Sequence, residues 1–172
     1  MIILGIDPGT NRTGWGVIAQ KEEKVRTAFK YVAHGCIITE KINTMPERLL
    51  LLHGTLNKLI EKHTPNCLIV ENIFFGRNVK TAITVSQARG VIMLSAAVFN
   101  LPVFEYTPST VKLSLTGSGK TEKKGVQETV RKLLNSNKTK LTFNGKKNKD
   151  FDDSADALAI ALHHALKIGE SI

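Results

Sequence analysis

The sequence predicts a single mixed α/β domain built on a five-stranded sheet with helices on both faces. Three β-rich segments joined by short turns fill the first 39 residues, which calls for antiparallel pairing. Beyond them, apolar patterns of helical period alternate with short strand-like runs, the pattern of units that add strands through helical crossovers. A chain of 172 residues with 42% hydrophobic content forms one core, with little room for a second.

Ile2 to Ile6 is a β-branched run ending at the turn signal Asp7-Pro8-Gly9-Thr10. Gly14 to Ala19 resumes the extended pattern, and Lys30 to Thr39 supplies a third strand. A helix follows, with Pro46 in its first turn and Leu49, Leu52, Leu56, Leu59, Ile60 and His63 forming one apolar stripe. His63, at the end of that stripe, reads as structural. Cys67 to Glu71 is a fourth strand, apolar without alternation, as in strands covered on both faces. A loop at Gly76 to Asn78 leads to a second helix over roughly Thr81 to Phe99, whose small residues suit close packing. Pro102 to Tyr106 is the fifth strand. Thr107-Pro108 caps a short helix that Gly117 stops, and Thr121-Glu122 opens another that runs to about Asn135. The last helix is expected to start near Asp152, after a polar, lysine-rich loop at 136–150 that is expected to be mobile.

The formal net charge of +9 is unevenly spread. Residues 1–119 carry 13 Lys/Arg against 8 Asp/Glu, residues 120–149 carry 10 against 2, and residues 150–172 carry 1 against 5. A basic block therefore runs directly into an acidic helix. Lysines so placed displace counterions from phosphates, although a solvated loop would show the same composition. No apolar run approaches the roughly 18 residues that a membrane span needs. Met1 to Asp7 lacks a basic n-region and a cleavage site, so it reads as strand and not signal peptide. Cys36 and Cys67 are isolated and read as reduced, buried thiols of a cytoplasmic protein.

Acids stand at four telling places. Asp7 ends a wholly apolar strand, where a carboxylate must be paired, hydrogen-bonded or bound to a cation. Glu71 holds the same place on the fourth strand, so the two meet if these strands are neighbours. Asp153 and Asp156 are three apart at the start of the last helix and share a side of it. Asp153 alone could be a helix cap or a first-turn acid. Four converging acids would raise one another's pKa values, and divalent cations would reverse this. Oxygen-only ligands suit Mg²⁺ or Mn²⁺, and no His/Cys cluster offers a zinc site.

The motifs around these acids resemble the RuvC family of Holliday junction resolvases. Ile6-Asp7-Pro8-Gly9-Thr10 with Thr13-Gly14-Trp15-Gly16 is similar to that family's opening, and Glu71-Asn72-Ile73-Phe74 to its second acidic motif. Gln87-Ala88-Arg89-Gly90 resembles the helix that follows. Pro102 to Tyr106 with Val111-Lys112 and Lys123 resembles its middle segment, and Asp153-Ser154-Ala155-Asp156-Ala157-Leu158-Ala159 its C-terminal signature. The resemblance spans nearly the whole chain and implies a ribonuclease-H-like fold. It implies metal ligands and catalytic acids at Asp7, Glu71, Asp153 and Asp156, with two Mg²⁺ per subunit and Mn²⁺ able to substitute. Asp152 stays open as an alternative to Asp153. Phe74 is implied as a base-stacking aromatic, and Arg77, Lys112 and Lys123 as DNA contacts. The implied activity is paired, symmetric nicking of four-way DNA junctions in recombination and repair. The implied partners are a second copy of the chain and the RuvA–RuvB branch-migration complex.

Lys138 to Lys149 maps onto no named motif. Ile73-Phe74-Phe75 could instead be a buried cluster, with Phe75 in the core; Trp15 reads as core, and His163 and His164 as packing or surface residues rather than catalysts. The apolar face of the second helix is the candidate dimer surface. Rival readings are another ribonuclease-H-like nuclease (a hybrid ribonuclease or a YqgF-type relative), a non-catalytic junction binder, and an actin-like ATPase. The ATPase would need a second lobe that 172 residues do not supply.

Overall fold

The computed structural model describes residues 1–22, 27–40, 42–72, 79–134 and 149–169. Strands β1 (Ile2–Asp7), β2 (Arg12–Glu22), β3 (Thr27–Ile38), β4 (Cys67–Glu71) and β5 (Val103–Tyr106) form one sheet in the order β3-β2-β1-β4-β5. The pairs β1–β2 and β2–β3 are antiparallel, whereas β1–β4 and β4–β5 are parallel. The mixed sheet expected from the sequence is therefore present, in the ribonuclease-H-like order. Helices α1 (Met45–His63), α2 (Val79–Val98), α3 (Pro108–Thr116), α4 (Lys123–Leu134) and α5 (Lys149–Gly169) complete the fold.

Strand alternation divides the core into two layers. Leu4, Ile6, Leu68 and Val70 face α1 and α2, packing with Leu52, Leu56 and Ile92. Ile3 and Ile69 face the other way, packing with Leu158 and Leu162 of α5, Val111 of α3 and Val130 of α4. α1 begins where the carboxylate of Glu47 accepts hydrogen bonds from the Thr44 N–H and hydroxyl, both 2.7 Å, with Pro46 in the first turn. α3 is capped by Thr107 and ends at Gly117, which adopts φ 77°.

α5 lies unusually close to the sheet because glycines floor its groove. A Cβ at Gly5 would meet the Ala157 carbonyl, and one at Gly14 the Asp153 carbonyl. α5 also starts at Lys149, three residues before the expected start, because no Pro or Gly separates Lys149 from Asp152. Asp153 is thus the fifth residue of the helix and neither a cap nor a first-turn acid. β2 and β3 are also longer than their sequence patterns indicated.

Cys67 is buried, but Cys36 is only half-buried, against expectation, because its strand β3 is an edge strand. His163 and His164 are buried packing residues, and the Tyr106 hydroxyl lies 2.9 Å from His164 Nδ1. Trp15, expected in the core, is only half-buried and packs against the margin of the α1–α2 layer, with its ring 6.0 Å from that of His63. Most of the lysine-rich stretch, with Phe74, Phe75 and Arg77, lies outside the described residues.

Candidate active site

Topology brings the acids together. β1 and β4 are parallel neighbours in register through Ile6 and Val70, so Asp7 and Glu71 end adjacent strands side by side. Alternation turns both carboxylates toward α5, on the side of Ile3 and Ile69. In the β1–β2 ladder Asp7 stands opposite Gly14, and the Asp153 backbone lies directly over Gly14. Asp156 follows on the same side of α5 and lines a cavity of about 220 Å³ with Glu71, Lys112, Lys123, Val111 and Ile160. Lys112 and Lys123 come from α3 and α4, which pack beside α5.

The charges of this cluster are balanced locally. Burial, first, and then the charges of Glu71 and Asp156 hold the Asp7 carboxyl far above the ordinary carboxylate range. A side-chain hydrogen bond links it to the Glu71 carboxyl. Glu71 is itself raised by burial, against the hydrogen bond with Asp7 and the opposing pull of Lys123 and Lys112. Arg12 Nε donates to Asp153 Oδ2 at 2.7 Å, and Cys36 Sγ lies 3.8 Å from the same oxygen. Lys123 Nζ stands 2.8 Å from Asp156 Oδ2.

The donor chemistry fits a hard divalent cation: four carboxylates converge, and burial, then the neighbouring negative charges, push the Asp7 carboxyl far above the ordinary range. The ligand set is nevertheless gathered rather than closed. Among the described residues no three Asp, Glu, His or Cys side chains form a ready cage for an ion. The physical reason lies in the ion pairs, since Asp153 turns to Arg12 and Asp156 to Lys123. Lys123, expected at DNA, is thus also the partner of a site acid. Lys112 reaches the same cavity. Arg12 stands between the two halves of the first motif, and nothing in its own segment marks it as a site residue.

Residues 3–164 match the sequence profile of the family described as Crossover junction endodeoxyribonuclease RuvC. This chain belongs to the RuvC family. RuvC of Pseudothermotoga lettingae is 43% identical over 164 residues, covering 95% of this chain and 93% of that one. RuvC of Rubrobacter xylanophilus is 45% identical over 164 residues, covering 95% and 84%. Among solved structures, Thermus thermophilus RuvC aligns with a TM-score of 0.81 at 28% identity, covering 99% of this chain and 97% of that one. The same protein in complex with Holliday junction substrate aligns at 0.84 and 29%, covering 99% and 96%. A yeast mitochondrial Holliday junction resolvase shares the fold, with a TM-score of 0.67 at 17% identity, covering 98% and 81%. RuvC proteins are metal-dependent nucleases, and the chain's gathered acids agree with that chemistry.

Proposed function

We propose that the chain resolves four-way DNA junctions as a homodimer, hydrolysing one phosphodiester in each of two opposed strands. One observation carries this reading: in a chain of the RuvC family, Asp7, Glu71, Asp153 and Asp156 converge at the ends of β1 and β4 beside Lys112 and Lys123. These four acids would hold two divalent cations, Mg²⁺ or Mn²⁺. When bound, such ions supply an activated water and stabilise the leaving oxygen. Lys112 and Lys123 draw the phosphate backbone to the acids and offset its charge. Phe74, in the family motif that begins at Glu71, stacks on an unpaired base at the crossover, and Arg77, by the same family resemblance, contacts DNA.

The dimer reading is supported by α2, which exposes Ile83, Met93, Leu94 and Val98 on a chain otherwise rich in charge. Among the described residues no helix is long and apolar enough to cross a membrane. A cytoplasmic enzyme working with RuvA–RuvB completes the reading.

The test is incubation with a synthetic four-way junction and Mg²⁺, with nicks mapped on each arm. Paired nicks at symmetric positions, bearing 5′-phosphates, are expected; preferential cleavage of an RNA–DNA hybrid would point to the other nuclease class. Asp7→Asn is expected to eliminate nicking while gel-shift binding of the junction survives, because Asp7 serves the chemistry and not the phosphate. Nicking by Asp7→Asn within severalfold of wild type would overturn the assignment.

A further inference from the structure

The Gln87-Ala88-Arg89-Gly90 segment carries an arginine that the acid cluster does not use. From α2, Arg89 Nη1 donates to the main-chain carbonyl of Glu71 at 3.0 Å, and Nη2 pairs with the Glu105 carboxylate on β5. Only 15% of the Arg89 side chain is exposed, against 34% for Glu105. Glu105 is the register partner of Val70 and shares its face of the sheet, the side of α1 and α2. The Glu71 carboxylate works on the opposite face. Glu71 is therefore gripped by its main chain from behind the sheet.

The sequence explains why this grip is needed. The Leu68 and Asn72 N–H groups donate to Pro102 and Tyr106 carbonyls toward β5, each at 2.9 Å. Odd residues of β4 therefore direct their own N–H and C=O toward β1. In the parallel register that pairs Ile6 with Val70, the β1 residue in phase to donate to the Glu71 carbonyl is Pro8. Proline has no N–H. The ladder lacks its donor next to the acid that must be held still, and Arg89 supplies one from outside the sheet.

We propose that Arg89 is a positioning residue for strand cleavage, tying the end of β4 to β5 so that the Glu71 carboxylate is fixed relative to Asp7. It acts through Glu71 and touches no reacting atom. The inference rests on the junction-cleaving reading, so wild-type nicking of the same junction serves as the control for that reading. Arg89→Ala is expected to lower kcat about tenfold or more, since displacing a reacting group by an ångström costs up to about 10²-fold. Junction Kd should change less than about twofold, and Mn²⁺ affinity measured by calorimetry should fall. Glu105→Gln, across the sheet from the carboxylates, should lower kcat in the same direction, and the double variant should be no slower than Arg89→Ala. Arg89→Lys should recover part of the rate. The proposal is overturned if kcat holds in Arg89→Ala, if rate falls only with the unfolded fraction seen in melting, or if Kd weakens with a shallower salt slope while kcat holds. If Arg89→Ala does not fold, Glu105→Gln decides: a lowered kcat with unchanged Kd supports the proposal and an unchanged kcat overturns it. A wild type that nicks no junction would instead remove the functional reading.

Discussion

Gly14→Ala adds one methyl group at the place where the sheet meets the acid-bearing helix. A Cβ there would stand 2.1 Å from the Asp153 carbonyl oxygen, a position that real Cβ atoms reach no closer than 3.0 Å. The obstacle is helix backbone, so α5 must retreat by about 0.9 Å or tilt at that end. Asp153 and Asp156 ride on it, while Asp7, opposite Gly14, stays with the sheet. A displacement near 1 Å costs about 10²-fold in rate, and overpacking costs roughly 1–3 kcal/mol of stability. Against a total of roughly 5–15 kcal/mol, that loss leaves the protein almost wholly folded at 25 °C. The melting temperature should fall by about 2–12 °C. Single-turnover nicking of a four-way junction should therefore drop about a hundredfold in a sample that circular dichroism shows to be folded. Gly54→Ala is the control, because its added Cβ meets nothing within 4 Å and α1 should gain about 0.5–1 kcal/mol. Nicking by Gly14→Ala within twofold of wild type would show that the helix yields without moving its acids, and the glycine floor would lose its role in catalysis.

Lys112→Ala and Lys123→Ala should each weaken junction binding and shallow the log–log salt dependence by about one unit, read by fluorescence anisotropy at several salt concentrations. Unchanged affinity and slope in both would remove these lysines from the DNA path. Burial, then the charges of His163 and Lys167, lowers the His164 pKa. The folded protein thus holds this proton less tightly than the unfolded chain, and stability should be full above pH 6.5 and decline below it. The groups around His164 are the Tyr106 hydroxyl and Phe104 of β5, with His163 and Lys167 on α5. His164→Gln should remove the destabilising share of His164 on acidification from pH 7.5 to 5.5, so that its melting temperature falls less or rises more than that of wild type; His34 and His63 act in the same direction as His164, and the raised carboxyls of Asp7 and Glu71 oppose them in both proteins. A pH dependence identical to wild type would clear His164. Phe74→Ala should melt like wild type yet nick junctions about tenfold more slowly, base stacking being worth roughly 1–3 kcal/mol, whereas Phe75→Ala should mainly lower the melting temperature. A Phe74→Ala protein that melts early and nicks normally would make Phe74 a core residue.

Most of the fold was legible because periodicity and turn chemistry agreed. The Cys67–Glu71 run reads as a strand covered on both faces, and it is one, with its first four residues buried. The Thr107-Pro108 start and Gly117 stop of α3 follow from local capping alone. The start of α5 was not legible, since a lysine-rich stretch carries no apolar period and no breaker marks its end. Nor was the half-exposure of Cys36, which depends on β3 being an edge and not on anything in its own segment.

The acids were legible for a reason that also explains what was missed. A carboxylate ending an apolar strand is a local anomaly, and Asp7 and Glu71 announce themselves within a few residues. Arginines carry no such anomaly, because a surface helix or turn accommodates them anywhere. Arg12 matters only once the fold sets Asp153 beside it, across 141 positions of chain. Arg48, in the first turn of α1, pairs with the Thr10 carbonyl and Asn11 Oδ1 of the turn after Asp7. Arg89 closes the end of β4. Each of these arginines grips an acid-bearing element or the turn beside one: α5, the end of β4, or the turn that follows Asp7. A cluster of like charges tends to push its own supports apart, and long cationic side chains with several rigid donors are suited to oppose that from a distance. The proposed site thus combines acids that a sequence displays with a brace of arginines that only the folded chain assembles. Substitutions in the brace should separate from those in the acids by lowering the rate while leaving some cleavage.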